Sequence, residues 1–329
     1  MPNVAIVGAT GAVGQEFLKI LVERNFPVEE LRLLATKRSA GKKILWQGRE
    51  IEVQETTHDS FKGIDIALFA GGSSSTEFAP SAVKSGAVVI DNSSAYRLDP
   101  EVPLVVPEVN PEDVKWHKGI IANPNCSTII MAVALKPIFD LAGIKRVVVS
   151  TYQAVSGAGR EGIEELEGQV HDWAQGEELK SQTFPYQIAF NLIPRIDVFQ
   201  EGDYTKEEWK MVKETQKIFH VDTMPITATT VRVPVLRSHS ESINIETERS
   251  VGLEEVKAAF QKAPGVIVED NPAEDRYPMP WFTSDTDEVY VGRIRKDFSI
   301  ENGINLWVVG DQIRKGAATN TIQIAELLL

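Results

Sequence analysis

The feature that most constrains the fold of this chain is a glycine-rich turn close to its N-terminus. Residues Val4–Val7 form a short continuous apolar segment, which is typical of a strand buried in a parallel sheet. This segment runs directly into the turn Gly8–Gly14, after which Phe17, Leu18 and further apolar residues recur at helical spacing. A strand, a glycine turn and a helix in this order predict an α/β domain built on a parallel sheet.

The same turn predicts a phosphate-binding site for a dinucleotide. Its glycines follow the spacing GxxGxxG and not the usual GxGxxG, but they still let the backbone approach a pyrophosphate at a helix N-terminus. Any tight connection from strand to helix needs glycine, so it is the strand–turn–helix context that carries the prediction. The residues expected to contact the cofactor here are Gly8, Thr10, Gly11, Ala12 and Val13.

The end of the second predicted strand, Leu31–Ala35, bears on which cofactor binds. A site for NAD usually has an acidic residue there, which binds the 2′-hydroxyl of the adenosine ribose. This chain has Lys37, Arg38 and Ser39 instead. Arg38 and Ser39 are suited to a 2′-phosphate, so we expect NADP; the alternative is that the basic residues are solvated loop charges.

The only cysteine, Cys126, lies where a nucleophile could be formed. It follows a predicted buried strand at 120–122 and stands in the turn Asn123-Pro124-Asn125-Cys126-Ser127-Thr128, just before a long apolar run. Pro124 and the asparagines rule out a helix interior before it, and Ser127 and Thr128 are predicted helix caps. A thiol at a helix N-terminus is favoured as thiolate. The alternative is a small buried apolar residue.

Beyond residue 144 the pattern changes to strands and helices without regular alternation. Strands are predicted at 145–153, 227–235, 242–246, 290–294 and 304–309, and helices at 163–173, 205–219 and 317–329. Thr205 and Glu208 predict a capping box, and Glu207 and Lys210 should share a helix face. His239 falls in a polar connection between strands. These elements predict an α+β domain with an antiparallel or mixed sheet.

Composition excludes several classes of protein. The 329 residues carry a formal net charge of −13, which argues against a general nucleic-acid binder. A single cysteine forms no intrachain disulfide, as expected in a reducing compartment. There is no apolar run of membrane-spanning length and no basic leader, so we expect a cytoplasmic protein that does not bind membranes. The five histidines show no zinc-site spacing, and no metal is expected.

Taken together, these motifs resemble the aspartate-semialdehyde dehydrogenase family along nearly the whole chain. The matching segments are the glycine turn, Arg38-Ser39, Asn92-Ser93-Ser94 with Arg97, Asn123 to Thr128, Tyr152-Gln153 with Ser156-Gly157, Glu207 with Lys210, Arg232, His239 and the stretch from Asp311 to Asn320. The glycine turn is shared widely, whereas the cysteine turn combined with the spacing from Arg232 to His239 is specific.

The resemblance implies a Rossmann-type NADP-binding domain, residues 1–125, completed by the C-terminal segment 311–329. It implies a second α+β domain, residues 126–310, for catalysis and dimerisation, as in proteins similar to glyceraldehyde-3-phosphate dehydrogenase. A homodimer or homotetramer is therefore expected.

The resemblance also implies a reaction and a role for each site residue. L-Aspartyl 4-phosphate would be reduced by NADPH to L-aspartate 4-semialdehyde and phosphate, a step in lysine, methionine and threonine biosynthesis. Cys126 would form a thioester, His239 would be the acid/base, and Gln153 would orient the acyl group. The substrate would be bound through its α-carboxylate by Arg232, its α-ammonium by Glu207 and its phosphate by Arg97 and Lys210. Ser156, Gly157 and Gln312 would contact the cofactor, although the family often has asparagine in place of Gln312.

Three other functions remain open at this point. N-acetyl-γ-glutamyl-phosphate reductase shares the thioester chemistry, but its acetylated substrate has no ammonium group for Glu207. Phosphorylating glyceraldehyde-3-phosphate dehydrogenase is more distant, because the acidic residue of an NAD site is missing after the second strand. A non-catalytic NADP-binding regulator would be expected to lack Cys126 or His239, and this chain has both.

Overall fold

The computed structural model describes every residue from Met1 to Leu329, in two compact units. Unit 1 comprises Met1–Asn125 and Gly316–Leu329, and unit 2 comprises Cys126–Lys315. The chain thus rejoins unit 1 at Gly316, five residues after the predicted position 311. The intervening residues stay with unit 2 because Asp311 accepts hydrogen bonds from Arg237 and Asp285, and Gln312 accepts one from Ser238.

Unit 1 contains eight strands and two helices before the chain leaves it. In chain order they are β1 (Val4–Val7), α1 (Ala12–Glu23), β2 (Leu31–Ala35), β3 (Lys43–Trp46), β4 (Arg49–Glu52), β5 (Gln54–Glu55), β6 (Ile66–Phe69), α2 (Ser74–Lys84), β7 (Val88–Asp91) and β8 (Ile120–Ala122).

Six of these strands form one sheet in the order β5-β2-β1-β6-β7-β8, and every pairing in it is parallel. The order reverses at β1, so the carboxyl ends of β1 and β6 border the crevice where open α/β sheets bind ligands. The glycine turn follows β1 directly. The predicted parallel sheet and its nucleotide-binding topology are confirmed. Strands β3 and β4 form a separate antiparallel hairpin.

The core of unit 1 covers both faces of the sheet, as a parallel sheet requires. All four residues of β1 are buried. One face packs against Phe17, Ile20 and Leu21 of α1, and the other packs against Ala79 and Ala82 of α2. The spacing of the apolar residues in α1 turns one side of the helix toward the sheet and leaves its polar side in solvent.

Unit 2 contains five helices and six strands. In chain order they are α3 (Cys126–Ala142), β9 (Ile144–Gln153), α4 (Arg160–Gln175), α5 (Lys206–Phe219), β10 (Ile226–Arg232), β11 (His239–Thr247), α6 (Leu253–Lys262), β12 (Val266–Val268), α7 (Pro280–Thr283), β13 (Val289–Asp297) and β14 (Gly303–Gly310). The chain then ends in α8 (Thr319–Glu326), which belongs to unit 1 and follows a short π-helical segment, Arg314–Ala318.

The strands of unit 2 form a mixed sheet in the order β10-β9-β11-β14-β13-β12. The two outer pairings are parallel and the three inner ones are antiparallel. Helix α3 packs against β9, β11, β13 and β14, and α5 packs against β10. The predicted α+β class with a mixed sheet is confirmed.

Two predicted helix features have different outcomes. The capping box of α5 is present: the Thr205 hydroxyl accepts from the Glu208 N–H at 3.3 Å, and the Glu208 carboxylate accepts from the Thr205 N–H at 2.7 Å. The predicted caps of α3 are wrong, because the helix begins at Cys126 and Ser127 and Thr128 lie buried inside its first turn. No helix in the structure is long and apolar enough to cross a membrane.

Candidate active site

The glycine turn of unit 1 is anchored to the end of β2. The N–H groups of Gly8 and Ala9 both donate to the Leu34 carbonyl, at 2.8 and 3.1 Å, which bends the chain away from β1. Gly8 has a φ of +87°, a left-handed conformation that favours glycine. A Cβ on Gly14 would lie 2.2 Å from the Gly8 carbonyl oxygen, so α1 can approach the turn this closely only without a side chain.

The N-terminus of α1 fits the phosphates of a dinucleotide. Its N-cap, Gly11, is extended and makes no side-chain hydrogen bond to the helix, and both Gly11 and Ala12 are exposed. Backbone N–H groups in the first turn of a helix bind anions, supported by the helix dipole. The turn therefore provides N–H donors without a side chain in front of them.

The residues predicted to read the adenosine end lie beside this turn. A short 3₁₀ segment, Lys37–Ser39, follows β2, and the buried Ser39 hydroxyl lies 3.4 Å from that of Thr10. Arg38 is exposed. The structure thus brings Thr10 and Ser39 together, with an exposed cationic side chain next to Ser39 in the same 3₁₀ segment.

A network of amide groups in unit 1 holds the backbone that leads into Cys126. Asn123, at the end of β8, donates to the Asn92 side chain at 2.9 Å and accepts from Asn320 at 2.7 Å. Arg97 donates to the carbonyl oxygens of Asn123 and Asn92, at 2.9 and 2.7 Å. Arg97, predicted to bind the phosphate, therefore also fixes two backbone segments of unit 1.

In unit 2 the helix-facing side of the sheet carries a row of predicted site residues at the ends of three neighbouring strands. Gln153 ends β9, Arg232 ends β10 and His239 begins β11. All three are buried. Arg232 and His239 lie opposite Gln153 in the strand pairing. Because successive residues of a strand point to opposite faces, directly paired residues point to the same face, and these three side chains therefore share one face of the sheet.

Arg232 lies at one edge of this row, on β10, with Gln153 between it and His239. One of its guanidinium nitrogens donates to the Ala154 carbonyl oxygen at 2.6 Å. Burial lowers the pKa of Arg232, while the negative charges of Glu207 and Cys126 raise it, so both groups lie within electrostatic reach of the guanidinium. The structure therefore brings the only cysteine, at the start of α3, into the same electrostatic cluster.

Glu207 and Lys210, predicted to share a helix face, are joined at 2.9 Å. Glu207 also accepts from the Gln153 carboxamide at 3.4 Å, which connects α5 to the strand ends. Lys210 makes a second ion pair with Asp197 at 3.1 Å. Burial alone would lower the pKa of Lys210, but Glu207 and Asp197 outweigh it and raise that pKa. The lysine is thus held as a cation.

Ser156 and Gln312, predicted to contact the cofactor, bind each other. The Gln312 carboxamide donates to the Ser156 hydroxyl and accepts from the Ser238 N–H at 2.8 Å. The Ser156 hydroxyl itself donates to the Leu236 carbonyl oxygen. Gln312 therefore joins the loop after β9 to the segment before β11, a positioning role that sequence alone did not indicate.

His239 is fully buried, which corrects the prediction that it stands on a polar loop. It begins β11 because the strand extends three residues further toward the N-terminus than predicted. Its Nδ1 accepts from the Ala154 N–H at 3.1 Å. Burial, with a smaller contribution from the positive charge of Arg232, lowers the pKa of His239 well below its ordinary value. No group of three or more metal-binding side chains is assembled anywhere in the chain.

Sequence reasoning missed Glu241, which lies two residues beyond His239 on the same face of β11. It is completely buried, and neither carboxyl oxygen has a hydrogen-bond partner within the chain. Burial raises the pKa of this carboxyl group well above 4.5. A signal was present: with the strand starting at His239, Glu241 falls in the inward set with Ile243 and Ile245.

We expect Glu241→Gln to stabilise the protein at pH 8 more than at pH 5. Because the folded pKa lies above the unfolded one, the unfolded chain loses its proton first as the pH rises, and wild-type stability falls up to the folded pKa. The stability of the variant relative to wild type should rise by about 1.4 kcal/mol for each pH unit between the unfolded and the folded pKa of Glu241. Urea unfolding at both pH values measures it.

The matched control is Glu246→Gln on the outward face of the same strand, where Glu246 pairs with Lys145 at 2.6 Å. Solvent screens this pair, because the Lys145 side chain is exposed, so its contribution should be small and without a comparable pH effect. An equal response of both variants would contradict the assignment of a buried, protonated Glu241.

Two family models match the chain. The semialdehyde dehydrogenase NAD binding domain matches residues 3–117, and the semialdehyde dehydrogenase dimerisation domain matches residues 135–315. The first lies within unit 1 and the second within unit 2. The chain therefore binds a nicotinamide dinucleotide through the unit that holds the glycine turn.

Individual relatives agree with these models. The aspartate-semialdehyde dehydrogenase of Aquifex aeolicus is 62% identical, over 99% of this chain and 98% of the relative. Aspartate semialdehyde dehydrogenase II from Vibrio cholerae, solved in complex with ASA, is 50% identical with a TM-score of 0.97, covering 100% of this chain and 98% of the other.

A more distant structure is the aspartate semialdehyde dehydrogenase of Candida albicans with NADP. It is 28% identical with a TM-score of 0.77, and the match covers 100% of this chain and 98% of the other. The full-length identities of 62% and 50% to aspartate-semialdehyde dehydrogenases, together with both family models, identify the protein as an oxidoreductase. This chain belongs to the aspartate-semialdehyde dehydrogenase family.

Proposed function

We propose that the protein interconverts L-aspartyl 4-phosphate and L-aspartate 4-semialdehyde, with NADP as its cofactor and a thioester on Cys126. The observation that supports this most directly is the electrostatic coupling of Arg232 to both Cys126 and Glu207. A nucleophile, a carboxylate-binding cation and an ammonium-binding anion within one cluster match a substrate that is an amino acid with an activated side-chain carboxyl.

The two ends of the substrate are assigned by charge. Arg232 binds the α-carboxylate, because a guanidinium can donate two parallel hydrogen bonds to it. Glu207 binds the α-ammonium, and Gln153, which donates to Glu207, orients the acyl group. Lys210, held as a cation by Glu207 and Asp197, binds the phosphate, as the family resemblance implies.

The assignment of Glu207 argues against N-acetyl-γ-glutamyl-phosphate reductase. An acetylated substrate has an amide in place of the α-ammonium, so it would offer no cationic group to this buried carboxylate. The solved Vibrio cholerae relative is described as a complex with ASA, which supports the amino-acid substrate.

The chemistry requires one residue to make and break the acyl bond. The Cys126 thiolate attacks the C4 carbonyl, the C–O bond to phosphate breaks, and phosphate leaves with that electron pair. A dinucleotide held at the glycine turn of unit 1 would supply the hydride for reduction of the thioester. The C–S bond then breaks, which releases the aldehyde and returns the thiolate. The α3 N-terminus and Arg232 stabilise the thiolate at both ends of this cycle.

Unit 1 fits the dinucleotide, because its glycine turn provides uncapped N–H donors. The assignment to NADP is supported by Arg38 and Ser39 after β2 and by the Candida albicans relative solved with NADP. The product would be the precursor of lysine, methionine and threonine, as the family resemblance implies.

Arg38→Ala is expected to weaken NADPH binding by about 10- to 100-fold and to leave NADH binding within about twofold, because only NADPH offers a 2′-phosphate. Fluorescence titration with each dinucleotide measures the two affinities. Arg49→Ala, which removes an equally exposed arginine from β4, should change neither. A parallel loss for both dinucleotides would contradict the assignment of Arg38.

We also propose that unit 2 forms a homodimer. The matching family model is described as a dimerisation domain. Unit 2 exposes several large apolar side chains, among them Trp173, Tyr186 and Phe190, which are 60%, 69% and 61% exposed. The rings of Trp173 and Phe190 contact each other, with centroids 4.8 Å apart, and exposed apolar surface of this kind is typical of protein interfaces. Sedimentation equilibrium should give at least twice the mass of one chain, 36.4 kDa.

The test of the proposed function follows the absorbance of the reduced nicotinamide with aspartate semialdehyde, NADP and phosphate. We expect continued NADPH formation, beyond one equivalent per enzyme, only when phosphate is present, because phosphate is the group that releases the thioester. N-Acetylglutamate semialdehyde is the matched control and should not be oxidised. Oxidation of the acetylated substrate in preference to aspartate semialdehyde would overturn the proposal.

A further inference from the structure

The guanidinium of Arg232 uses few of its hydrogen-bond donors within the chain. One terminal nitrogen donates to the Ala154 carbonyl oxygen at 2.6 Å, and this side chain forms no further hydrogen bond within the protein. A guanidinium carries several N–H groups, and donors without an acceptor are unfavourable in a residue that is only 6% exposed. The remaining donors are therefore available to an anionic ligand, which in the proposed function is the α-carboxylate of the substrate.

The ring of Phe184 lies against this guanidinium. The central carbon of the guanidinium, Cζ of Arg232, is over the Phe184 ring, 5.9 Å from its centroid. An aromatic face attracts a cation electrostatically and needs no hydrogen bond from it. The ring therefore restrains the guanidinium without providing an acceptor for the donors that a carboxylate binds.

The backbone at Gly157 is packed against the same guanidinium. A Cβ on Gly157 would lie 2.8 Å from the terminal nitrogen of Arg232 that donates to Ala154. This distance is shorter than van der Waals contact, so the guanidinium can occupy its position only because residue 157 has no side chain. The family resemblance assigns Gly157 to the cofactor, and the structure shows that it also packs against Arg232.

Phe184 is itself held in place by the core of unit 2. It is 9% exposed, and it belongs to a buried apolar cluster with Val155, Leu166, Ile188, Ala189 and Ile193. The chain just after it is fixed to α4, because the carboxamide oxygen of Gln169 accepts from the N–H groups of Ile188 and Ala189, at 3.0 and 2.9 Å. The ring thus provides a fixed surface for the arginine.

Building on the proposed function, we propose that Phe184 is a positioning residue for substrate recognition. Its ring holds the Arg232 guanidinium in the orientation that binds the α-carboxylate. An arginine side chain has several rotatable bonds, and fixing them when a ligand binds costs free energy unless the protein has fixed them beforehand. Phe184 reduces this cost before the substrate arrives. The sequence did not indicate the role, because Phe184 and Arg232 are far apart in the chain.

The first test compares Phe184→Leu with the wild type on two aldehydes. Leucine stays apolar within the cluster but has no ring face. We expect the variant to raise the KM for aspartate semialdehyde by about 5- to 30-fold and to change kcat and the KM for NADP less than about twofold. 3-Aminopropanal is the same aldehyde without the α-carboxylate. Its kcat/KM should be equal in variant and wild type, because Arg232 then has no carboxylate to bind.

Ile188→Val is the matched control. Ile188 is fully buried in the same cluster, but it is Phe184 whose ring lies against Arg232. Calorimetry should show that both variants lose stability, whereas only Phe184→Leu should raise the KM for aspartate semialdehyde. An equal rise of this KM in both variants, or an equal loss for both aldehydes in Phe184→Leu, would reduce Phe184 to a structural residue and overturn the proposal.

The second test measures the mobility of the Arg232 guanidinium without turnover. Nitrogen relaxation of the full-length protein labelled with ¹⁵N-arginine gives an order parameter for each Nε–H group, and the Arg232→Lys variant identifies the Arg232 signal by its loss. We expect an order parameter of about 0.85 in the wild type and below about 0.6 in Phe184→Leu. An order parameter that is the same in both proteins would overturn the proposal.

Failure of the proposed function would give a different result. Wild-type protein that oxidises 3-aminopropanal as efficiently as aspartate semialdehyde would show that Arg232 does not bind an α-carboxylate, which contradicts the proposed substrate. The relaxation measurement needs no substrate, so it would still decide whether Phe184 fixes the guanidinium of Arg232.

Discussion

Cys126→Ser is expected to lower kcat by about 10⁴-fold or more while changing dinucleotide affinity less than about twofold. The serine hydroxyl is a far weaker nucleophile than a thiolate near neutral pH, and neither the α3 N-terminus nor Arg232 can ionise it appreciably. The dinucleotide turn lies in unit 1, whereas Cys126 begins unit 2, so dinucleotide affinity is expected to survive. Initial rates and NADPH fluorescence titration measure the two quantities separately.

The single cysteine provides an internal control for this prediction. Mass spectrometry after iodoacetamide treatment should find one alkylated residue per wild-type chain and none in Cys126→Ser, and bound substrate should slow the alkylation. Cys126→Ala should be as inactive as the serine variant. Turnover above about one per cent of wild type in either variant would rule out the thioester on Cys126.

The second large effect is expected from Gly14→Ala, which should unfold unit 1 at a temperature about 10 °C lower than in the wild type. The new Cβ would lie 2.2 Å from the Gly8 carbonyl oxygen and 2.8 Å from the Ala9 Cα. Both are backbone atoms, so the clash can be relieved only by moving α1 away from the turn. A loss of about 3 kcal/mol is reasonable for such overpacking, and calorimetry detects it.

Gly168→Ala is the matched control, because it makes the same substitution inside another helix, α4, where a Cβ meets nothing within 4 Å. Alanine is the better helix former, so this variant should be as stable as the wild type or more stable by up to about 1 kcal/mol. Gly14→Ala should also lose dinucleotide affinity. If Gly14→Ala has the same unfolding temperature as Gly168→Ala, the close approach of α1 to the turn does not limit the stability of unit 1.

Much of the fold could be predicted because it depends on local patterns. The apolar segments of β1 and β8 are short and continuous, as expected for strands buried on both faces. The capping box at Thr205 and Glu208 located the start of α5, because both hydrogen bonds form within four residues. Boundaries that depend on distant contacts were less accurate, as with the start of β11.

In the candidate site too, local features could be predicted from the sequence, whereas features that depend on distant contacts could not. The residue types of the site were predictable, because a cysteine at the start of a helix is suited to thiolate chemistry and arginines are suited to binding an anionic substrate. Their environments were not. The burial of Glu241 arises from its register in the sheet of unit 2, opposite Thr151 on β9 and Val308 on β14. A register of this kind pairs residues that are far apart in the chain, which no local pattern encodes.

The sequence by itself determined the strand–turn–helix for a dinucleotide, and it pointed to the cysteine proposed as nucleophile and to charged residues suited to the ends of an amino-acid substrate. These features depend on residue type and near neighbours. Only the tertiary structure decided that Ala154 donates to Nδ1 of His239 and that Arg232 lies within electrostatic reach of both Cys126 and Glu207. The physical reason is that protonation and charge pairing depend on burial and on distances across strands and helices, which arise only when separate segments pack together.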